Sequence, residues 1–207
     1  MNGGDFQFDY NNDYCLEDDC VLLRPLLPED CGNLLHFALE EPEIWQFALT
    51  PVTNEQTLKS YLYEAALARK NGVAYAWIVW DKITQKYAGS TRFYDINEKF
   101  QSLLLGYTWY GKKFQGTGIN IHCKYLLLSF AFEKMQMERV EFRADANNSR
   151  SIAAMKKIGC KVEGVLRSHM PTLQTKRRDS IVLSILKREW FNEVKPLFEQ
   201  KLLVEKK

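Results

Sequence analysis

The sequence lacks a large excess of charge of either sign. Its 28 lysine and arginine residues nearly balance its 26 aspartate and glutamate residues, so the formal net charge is only +2. Proteins that hold nucleic acid or an anionic membrane by long-range attraction carry a much stronger positive excess. We therefore expect neither nucleic acid nor a membrane as a partner, and an anionic ligand must be held by a local site.

Long apolar runs and paired cysteines are also lacking. No segment approaches the ~20 consecutive apolar residues of a membrane-spanning helix, and residues 1–14 lack the basic and apolar regions of a secretion signal. The cysteines are odd in number and scattered, without the close pairs and neighbouring histidines of a zinc site. We expect a cytoplasmic protein with reduced thiols and no metal. The cysteines are Cys15, Cys20, Cys31, Cys123 and Cys160.

No repeat, low-complexity tract or linker rich in proline, glycine and serine divides the chain. Its 207 residues, 46% of them hydrophobic, are enough for one buried core. We therefore expect a polar tail over residues 1–19, one domain over residues 20–190 and a helical tail over residues 191–207.

Strand-like segments are present in both halves of the chain. In the first half, loose alternation of apolar and polar residues predicts a three-stranded antiparallel meander. After residue 118 the pattern becomes strand, helix, strand. This order implies an α/β (α+β) fold with one mixed, mostly antiparallel sheet of about seven strands and helices on both faces. The predicted strands are residues 21–25, 74–80, 87–95, 103–109, 139–144, 161–169 and 179–186, and the predicted helices begin near residues 28, 54, 118 and 148.

A glycine-rich segment, Gln115-Gly116-Thr117-Gly118-Ile119-Asn120, follows the third strand of the meander and leads into a helix. Glycines allow a tight turn, and the unpaired N–H groups of a first helical turn suit a phosphate. Two glycines before a helix are more often only a turn and cap. The known phosphate and dinucleotide loops do not match, since no lysine follows the second glycine and residue 121 is isoleucine.

A second group of motifs favours the phosphate interpretation. Asn148-x-x-Ser151 is followed by Lys157-Ile158-Gly159-Cys160 and then by Glu163-Gly164-Val165-Leu166-Arg167. Together with Gln115-x-x-Gly118-x-Asn120, these motifs resemble those of the GNAT superfamily of N-acetyltransferases. Glu-Gly-x-x-Arg resembles its ribosomal-protein (Rim-type) branch. The resemblance extends over about residues 20–190 in the order of elements, with Asn120 and Cys160 as departures from the family's usual glycine or alanine and phenylalanine.

The resemblance implies acetyl-CoA as co-substrate and a splayed pair of parallel strands that holds its pantetheine arm. Backbone groups left unpaired by the splay would bind the arm as an added strand. Asn148 and Ser151 are equally well explained as caps of the following helix. The residues implied in binding acetyl-CoA are Leu105, Tyr107, Trp109, Gln115, Gly116, Thr117, Gly118, Ile119, Asn120, Asn148 and Ser151.

The implied reaction is transfer of an acetyl group to a primary amine, on a protein N-terminus or a small molecule, by direct attack in a ternary complex. It needs a base for the amine, a donor to the oxyanion and an acid for the departing thiolate. The family's glutamate and tyrosine are replaced by Leu104 and Leu183. Ser184 is the predicted acid, although it is equally well interpreted as a small residue of the buried core. The candidate bases are Asp95, Glu98 and water held by Tyr107 or Thr108.

The acceptor site is the part of the protein that the sequence predicts least well. Trp45, Phe47 and Phe93 are candidate acceptor-binding residues, although aromatic residues at such spacings are more often core. The two leucine replacements leave open a non-catalytic acyl-CoA-binding regulatory module. A nucleic-acid-binding domain that uses the basic residues 176–178 is disfavoured by the net charge. We expect a monomer or a homodimer.

Overall fold

A computed structural model describes residues 6–50, 52–172 and 176–205. Each predicted strand is present, with bounds within two residues of those expected. The strands are Leu16–Glu17 (β1), Val21–Pro25 (β2), Ala74–Asp81 (β3), Lys86–Asn97 (β4), Ser102–Tyr110 (β5), Arg139–Asp145 (β6), Lys161–Pro171 (β7) and Arg177–Leu186 (β8). The α-helices are Cys31–Glu40 (α1), Glu55–Lys70 (α2), Ile119–Ser129 (α3), Ser149–Lys157 (α4), Lys187–Glu189 (α5) and Lys195–Glu205 (α6).

Shorter helical turns complete the described elements. Three are 3₁₀ turns, Pro28–Asp30, Pro42–Trp45 and Lys112–Phe114. Two are π-helical turns, Phe130–Lys134 after α3 and Trp190–Val194 between α5 and α6. The long apolar segment after residue 118 is therefore α3 continued by a π turn. No described helix is both long enough and apolar enough to cross a membrane.

The strands form one sheet in the order β1-β2-β3-β4-β5-β6-β8-β7. All neighbours are antiparallel except β5 and β6, which are parallel. The mixed, mostly antiparallel sheet is confirmed, with eight strands rather than about seven. The additional strand is β1, whose two residues pair with β2 and are too few to show an alternating pattern.

The parallel pair opens after a short contact. Residues 102–104 of β5 pair with residues 139–141 of β6, and neither strand has a further partner in the other although both continue. Tyr107 has a left-handed φ of 49°, and the register between β4 and β5 shifts between Ser90 and Arg92. Such a bulge bends a strand away from its neighbour. The predicted splay is therefore present, and it begins after Leu104 and Glu141.

Helices cover both faces of the sheet. On one face, Trp109 of β5 packs against Phe37 of α1 and donates its indole N–H to the Tyr61 hydroxyl of α2 at 3.3 Å. Because successive strand residues point to opposite faces, Thr108 faces the other side, where Lys124 of α3 contacts it. The splay is thus enclosed by α1 and α2 on one side and α3 on the other.

Both expected tails pack on the body where they are described. Phe8 is buried, stacks on Tyr14 with ring centroids 5.0 Å apart and meets Tyr75 of β3 edge-on. At the other end, Trp190 and Phe198 are buried with their rings close to α3. The division into one domain with two tails remains an expectation, but the described parts of both tails contribute to its core.

Candidate active site

The glycine-rich turn has the backbone conformation that only glycine adopts easily. Gly116 and Gly118 have φ values of 79° and 89°, in the left-handed region that penalises other residues. Gly118 is also the N-cap of α3. Within the described part of the chain, nothing accepts a hydrogen bond from the backbone N–H groups of residues 116–120. The turn therefore presents a row of unpaired donors at the positive end of a helix, which suits an anionic group.

Hydrogen bonds from neighbouring side chains hold this turn in place. The amide of Gln115 donates to the carbonyl of Tyr110 at 2.8 Å, and the Thr117 hydroxyl donates to the carbonyl of Phe114 at 2.8 Å. Arg150 donates to the Gln115 side-chain oxygen at 2.5 Å. The guanidinium of Arg150 thus lies beside the turn, and it is the positive charge that the sequence motifs did not single out.

Asn148 and Ser151 act as cap and capped residue in the structure. The Asn148 side-chain oxygen accepts the backbone N–H of Ser151 at 3.1 Å, which closes the first turn of α4. This is the capping role that asparagine serves before a helix. A contact of either residue with the CoA arm stays a prediction.

The predicted residues of β5 lie along the splay. Leu105 is buried, whereas Tyr107 keeps 44% of its surface exposed. The Arg92 guanidinium lies 4.4 Å from the Tyr107 ring centroid, a favourable cation–π arrangement. Trp109 is buried against Trp45, with ring centroids 4.6 Å apart. Tyr107 is therefore the member of this group that solvent and a substrate can reach.

Ser184 sits in an ionic network at the closed end of the splay. It pairs with Glu141, the last β6 residue that also pairs with β5. Its hydroxyl donates to Glu163, which also accepts hydrogen bonds from Arg139. The hydrogen bond from Arg139, supported by the one from Ser184, lowers the pKa of Glu163 to about 2, although burial acts in the opposite direction. The Ser184 proton is thus directed to a carboxylate and not into the gap.

The candidate bases differ in their surroundings. Asp95 is exposed on β4 with a φ of 49°, and no hydrogen bond among the described residues joins it to Tyr107 or Ser184. The Glu98 carboxylate accepts the backbone N–H of Phe8 at 3.2 Å, so it helps to anchor the N-terminal segment. Glu141 was missed by sequence reasoning, although it lies on β6 directly beside Leu104.

A cavity of about 500 Å³ opens where three distant segments meet. Phe47 lines it, whereas Trp45 is buried against Trp109 and does not belong to the lining. Acceptor binding by either residue stays a prediction. Phe93 has no exposed surface and packs edge-on against Trp77, so it belongs to the core and not to the lining. Residues 173–175 of the adjoining hairpin lie outside the described residues. The lining residues are Gln46, Phe47, Ala48, Leu49, Asp145, Asn147, Thr172, Lys176, Arg177 and Arg178.

Comparison with known proteins decides the family. Residues 21–161 match the acetyltransferase (GNAT) domain. The chain belongs to the GNAT acetyltransferase family. A Bacillus subtilis (strain 168) protein provisionally named ribosomal N-acetyltransferase YdaF is 25% identical to this GNAT chain over 185 residues, which cover 86% of it and 98% of YdaF. This relative supports the Rim-type branch, and the GNAT protein is an acyltransferase of the N-acetyltransferase type.

Solved structures agree with this assignment. A protein of T. thermophilus, provisionally classed as an acetyltransferase, is 30% identical to the GNAT chain, with a TM-score of 0.82 over 91% of this chain and 96% of that one. The microcin C7 self-immunity acetyltransferase MccE, solved with acetyl-CoA and AMP, has a TM-score of 0.73 at 21% identity, over 82% of this chain and 93% of MccE. At that identity the likeness to MccE shows the fold alone.

One cluster in this GNAT protein bears on the expected absence of metal. Asp18, Cys20 and His122 bring a carboxylate oxygen, a sulfur and a ring nitrogen within 4.8 Å of one another, and such groups can bind zinc. The His122 Nδ1 lies 2.6 Å from an Asp18 oxygen, and Asp18 also accepts the backbone N–H groups of Cys20 and Val21. This pairing of the β1–β2 turn with α3 explains the cluster without an ion. The absence of metal remains a prediction that elemental analysis of the purified protein checks.

Proposed function

We propose that this GNAT enzyme transfers an acetyl group from acetyl-CoA to a primary amine by direct attack in a ternary complex. The observation that carries the proposal is the splay between β5 and β6, which leads to a glycine-rich turn with unpaired N–H groups. A chain that carries amides fits such a gap as an added strand, and a pyrophosphate fits the turn. The residues present therefore suit acetyl-CoA.

Different groups of the chain would bind different parts of acetyl-CoA. The N–H groups of residues 116–120 would bind the pyrophosphate, with Arg150 as the nearby positive charge. The backbone of β5 from Leu105 to Tyr107, on the side that faces β6 and has no partner strand there, would orient the acetyl end. An N–H group in this segment is our candidate donor to the oxyanion. Such preorganised donors are among the largest contributions to acyl transfer.

Proton removal from the acceptor needs only modest help if the acceptor is a protein N-terminus. An α-amino group has a pKa of about 8, whereas a lysine side chain has one of about 10.4. Tyr107 is exposed beside the splay and could hold a water molecule as base, and Asp95 is the alternative. The absence of a glutamate at Leu104 thus favours an α-amino group over a lysine.

The cavity supports an acceptor with negative charge near its amine. Three basic residues line it, Lys176, Arg177 and Arg178, and among the described lining residues Asp145 is the one carboxylate. A carboxylate on the acceptor would meet complementary charge there, and charge complementarity contributes mainly to specificity. We therefore propose peptides with an acidic residue close to the N-terminus as the preferred acceptors.

Thiol release from acetyl-CoA tests this function. Initial rates are measured with peptides that differ only in an acidic or basic residue after the first position, and with polyamines. Varying both substrates separates a ternary complex, which gives intersecting reciprocal plots, from a covalent intermediate, which gives parallel ones.

The expected result is intersecting plots and a higher kcat/KM for the acidic peptide. Lys176→Glu should reduce that preference, whereas Lys86→Glu, an exposed charge on β4 away from the cavity, should not. Preference for polyamines would contradict the acidic-acceptor proposal. Acetyl-CoA binding without turnover on any amine would instead support the non-catalytic module.

A further inference from the structure

Lys124 is a buried lysine on the α3 side of the splay. Only 5% of its surface is exposed. Its Nζ donates to the Thr108 hydroxyl of β5 at 2.8 Å and lies 5.9 Å from the ring centroid of Phe142 on β6. Both partners lie beyond the last residues that pair the two strands, Leu104 and Glu141. The amine therefore bridges the two strands where they have separated.

No carboxylate among the described residues pairs with this amine. The titratable groups that face it are the Cys123 thiol on its own helix and the Cys160 thiol after α4. Burial raises the pKa of each thiol to about 12, so both are neutral at pH 7. Strands β5 and β6 present Thr108 and Phe142, which carry no charge. Burial accordingly lowers the pKa of Lys124 to about 8.

Burial of the Lys124 amine without a counter-charge destabilises the folded state, which is unexpected for a residue that serves only packing. An unpaired buried cation is much less favourable than an apolar side chain of the same length. Perturbed lysines of this kind concentrate at functional sites, although structural networks also produce them. Here the amine adjoins the gap that the proposed function assigns to the pantetheine arm, and the Ser184 hydroxyl is directed to Glu163 instead.

We propose that Lys124 is the general acid that protonates the CoA thiolate as it leaves. The proposal rests on the proposed function, since it concerns the same gap. In this step an N–H bond of the Lys124 ammonium breaks and an S–H bond forms. The neutral amine then regains a proton, through water, from the acceptor nitrogen that has formed its C–N bond. The net change moves one proton from that nitrogen to the sulfur, and no other reactant is needed.

The test compares Lys124→Met with Lys134→Met, which removes an exposed lysine just after the same helix. For each protein we would measure the acetyl-CoA Kd by calorimetry and kcat from pH 6 to 10. General acid catalysis contributes about 10²–10⁴-fold, so we expect kcat of Lys124→Met to fall by at least about 100-fold with an almost unchanged Kd. The wild type and Lys134→Met should lose activity above about pH 8, and this decrease should be absent from Lys124→Met.

A second readout does not depend on turnover. Side-chain NMR of lysine in the wild type should show one amine that titrates near 8 and is missing from Lys124→Met. CoA should raise its pKa, because a thiolate beside it favours the charged form, whereas desulfo-CoA, which lacks the sulfur, should not.

The outcomes separate the two proposals. If the wild type and Lys134→Met turn over and Lys124→Met equals them in kcat and pH profile, Lys124 is not the acid although the function stands. If Lys124→Met does not fold, equal effects of CoA and desulfo-CoA on the wild-type amine would also overturn the proposal. If the wild type does not bind acetyl-CoA, both proposals fail.

Discussion

Among single residues, the left-handed glycine at the start of α3 is the one on which we expect binding of acetyl-CoA to depend most. Gly118 has a φ of 89°, and a side chain in that region costs about 1–2 kcal/mol. In Gly118→Ala the free turn should relax to relieve this strain, and acetyl-CoA would have to restore the conformation that presents the N–H groups. We therefore expect binding to weaken about tenfold, since 1.4 kcal/mol corresponds to a factor of ten. Calorimetric titration measures this.

The matched control is Gly32→Ala on α1, where an added Cβ meets nothing within 4 Å and the backbone is helical. It should bind acetyl-CoA like the wild type. Equal affinity of Gly118→Ala and Gly32→Ala would show that the turn does not hold the donor.

Lys124 also makes the stability of the protein depend on pH. Its pKa falls from 10.5 in the unfolded chain to about 8 in the folded one, so between these values the unfolded chain binds the additional proton. Above pH 9 the buried thiols of Cys123 and Cys160, whose pKa values burial raises from 9.0, lower stability as pH increases. The contribution of Lys124 itself should rise as pH increases from about 8 to 10.5. Lys124→Met removes this dependence and should be more stable at pH 7 by up to about 3 kcal/mol, with the difference shrinking at high pH.

Urea denaturation at pH 7 and pH 10 measures that difference. A constant difference at the two pH values would mean that the buried amine is not the cause. Greater stability combined with lower activity is the usual relation at a strained functional residue.

The sequence predicted some of these residues and not others, for physical reasons. Gly116 and Gly118 could be found because a pair of glycines before a helix marks backbone that other residues rarely adopt. Lys124 could not, since a lysine in a helix is usually exposed and only the fold shows that β5 and β6 lie above it. Arg150 was missed because its neighbour Gln115 is distant in sequence.

At the scale of elements, the C-terminal helices are fixed to the body by buried aromatic side chains. Trp190, Val194 and Phe198 are spaced four residues apart on one face and are all buried. This spacing is the helical pattern that indicates an apolar contact. The expectation of a helical tail over residues 191–207 did not use it, although it could have indicated that the tail packs on the domain. By contrast, the two residues of β1 are too few to show the apolar and polar alternation from which a strand is predicted.

Truncation of Phe198 tests this packing. Phe198→Ala should destabilise the protein by about 3–5 kcal/mol, as buried phenylalanines do. Leu203→Ala on the same helix removes a side chain that is mainly exposed and should change stability by less than about 0.5 kcal/mol. Similar melting temperatures for the two variants would show that α6 does not pack as described.

At the scale of the whole molecule, the fold was predictable and the acceptor site was not. The order of strands and the crossover follow from local patterns and from the rules of sheet topology. The cavity instead combines the segment after α1, the end of β6 and the β7–β8 hairpin. Loops that meet only in the folded chain carry no shared pattern, so the sequence offered Phe47 as a candidate but did not place Arg178 in the same site.

The proposed acetyl transfer is tested most directly by calorimetric titration of the protein with acetyl-CoA, CoA and ATP, followed by thiol release on peptide N-termini. We predict binding of acetyl-CoA and CoA through the turn and the splay, weaker binding of ATP, which lacks the pantetheine arm, and turnover on an α-amino group. Absence of acetyl-CoA binding, or ATP binding as tight as that of acetyl-CoA, would contradict this prediction.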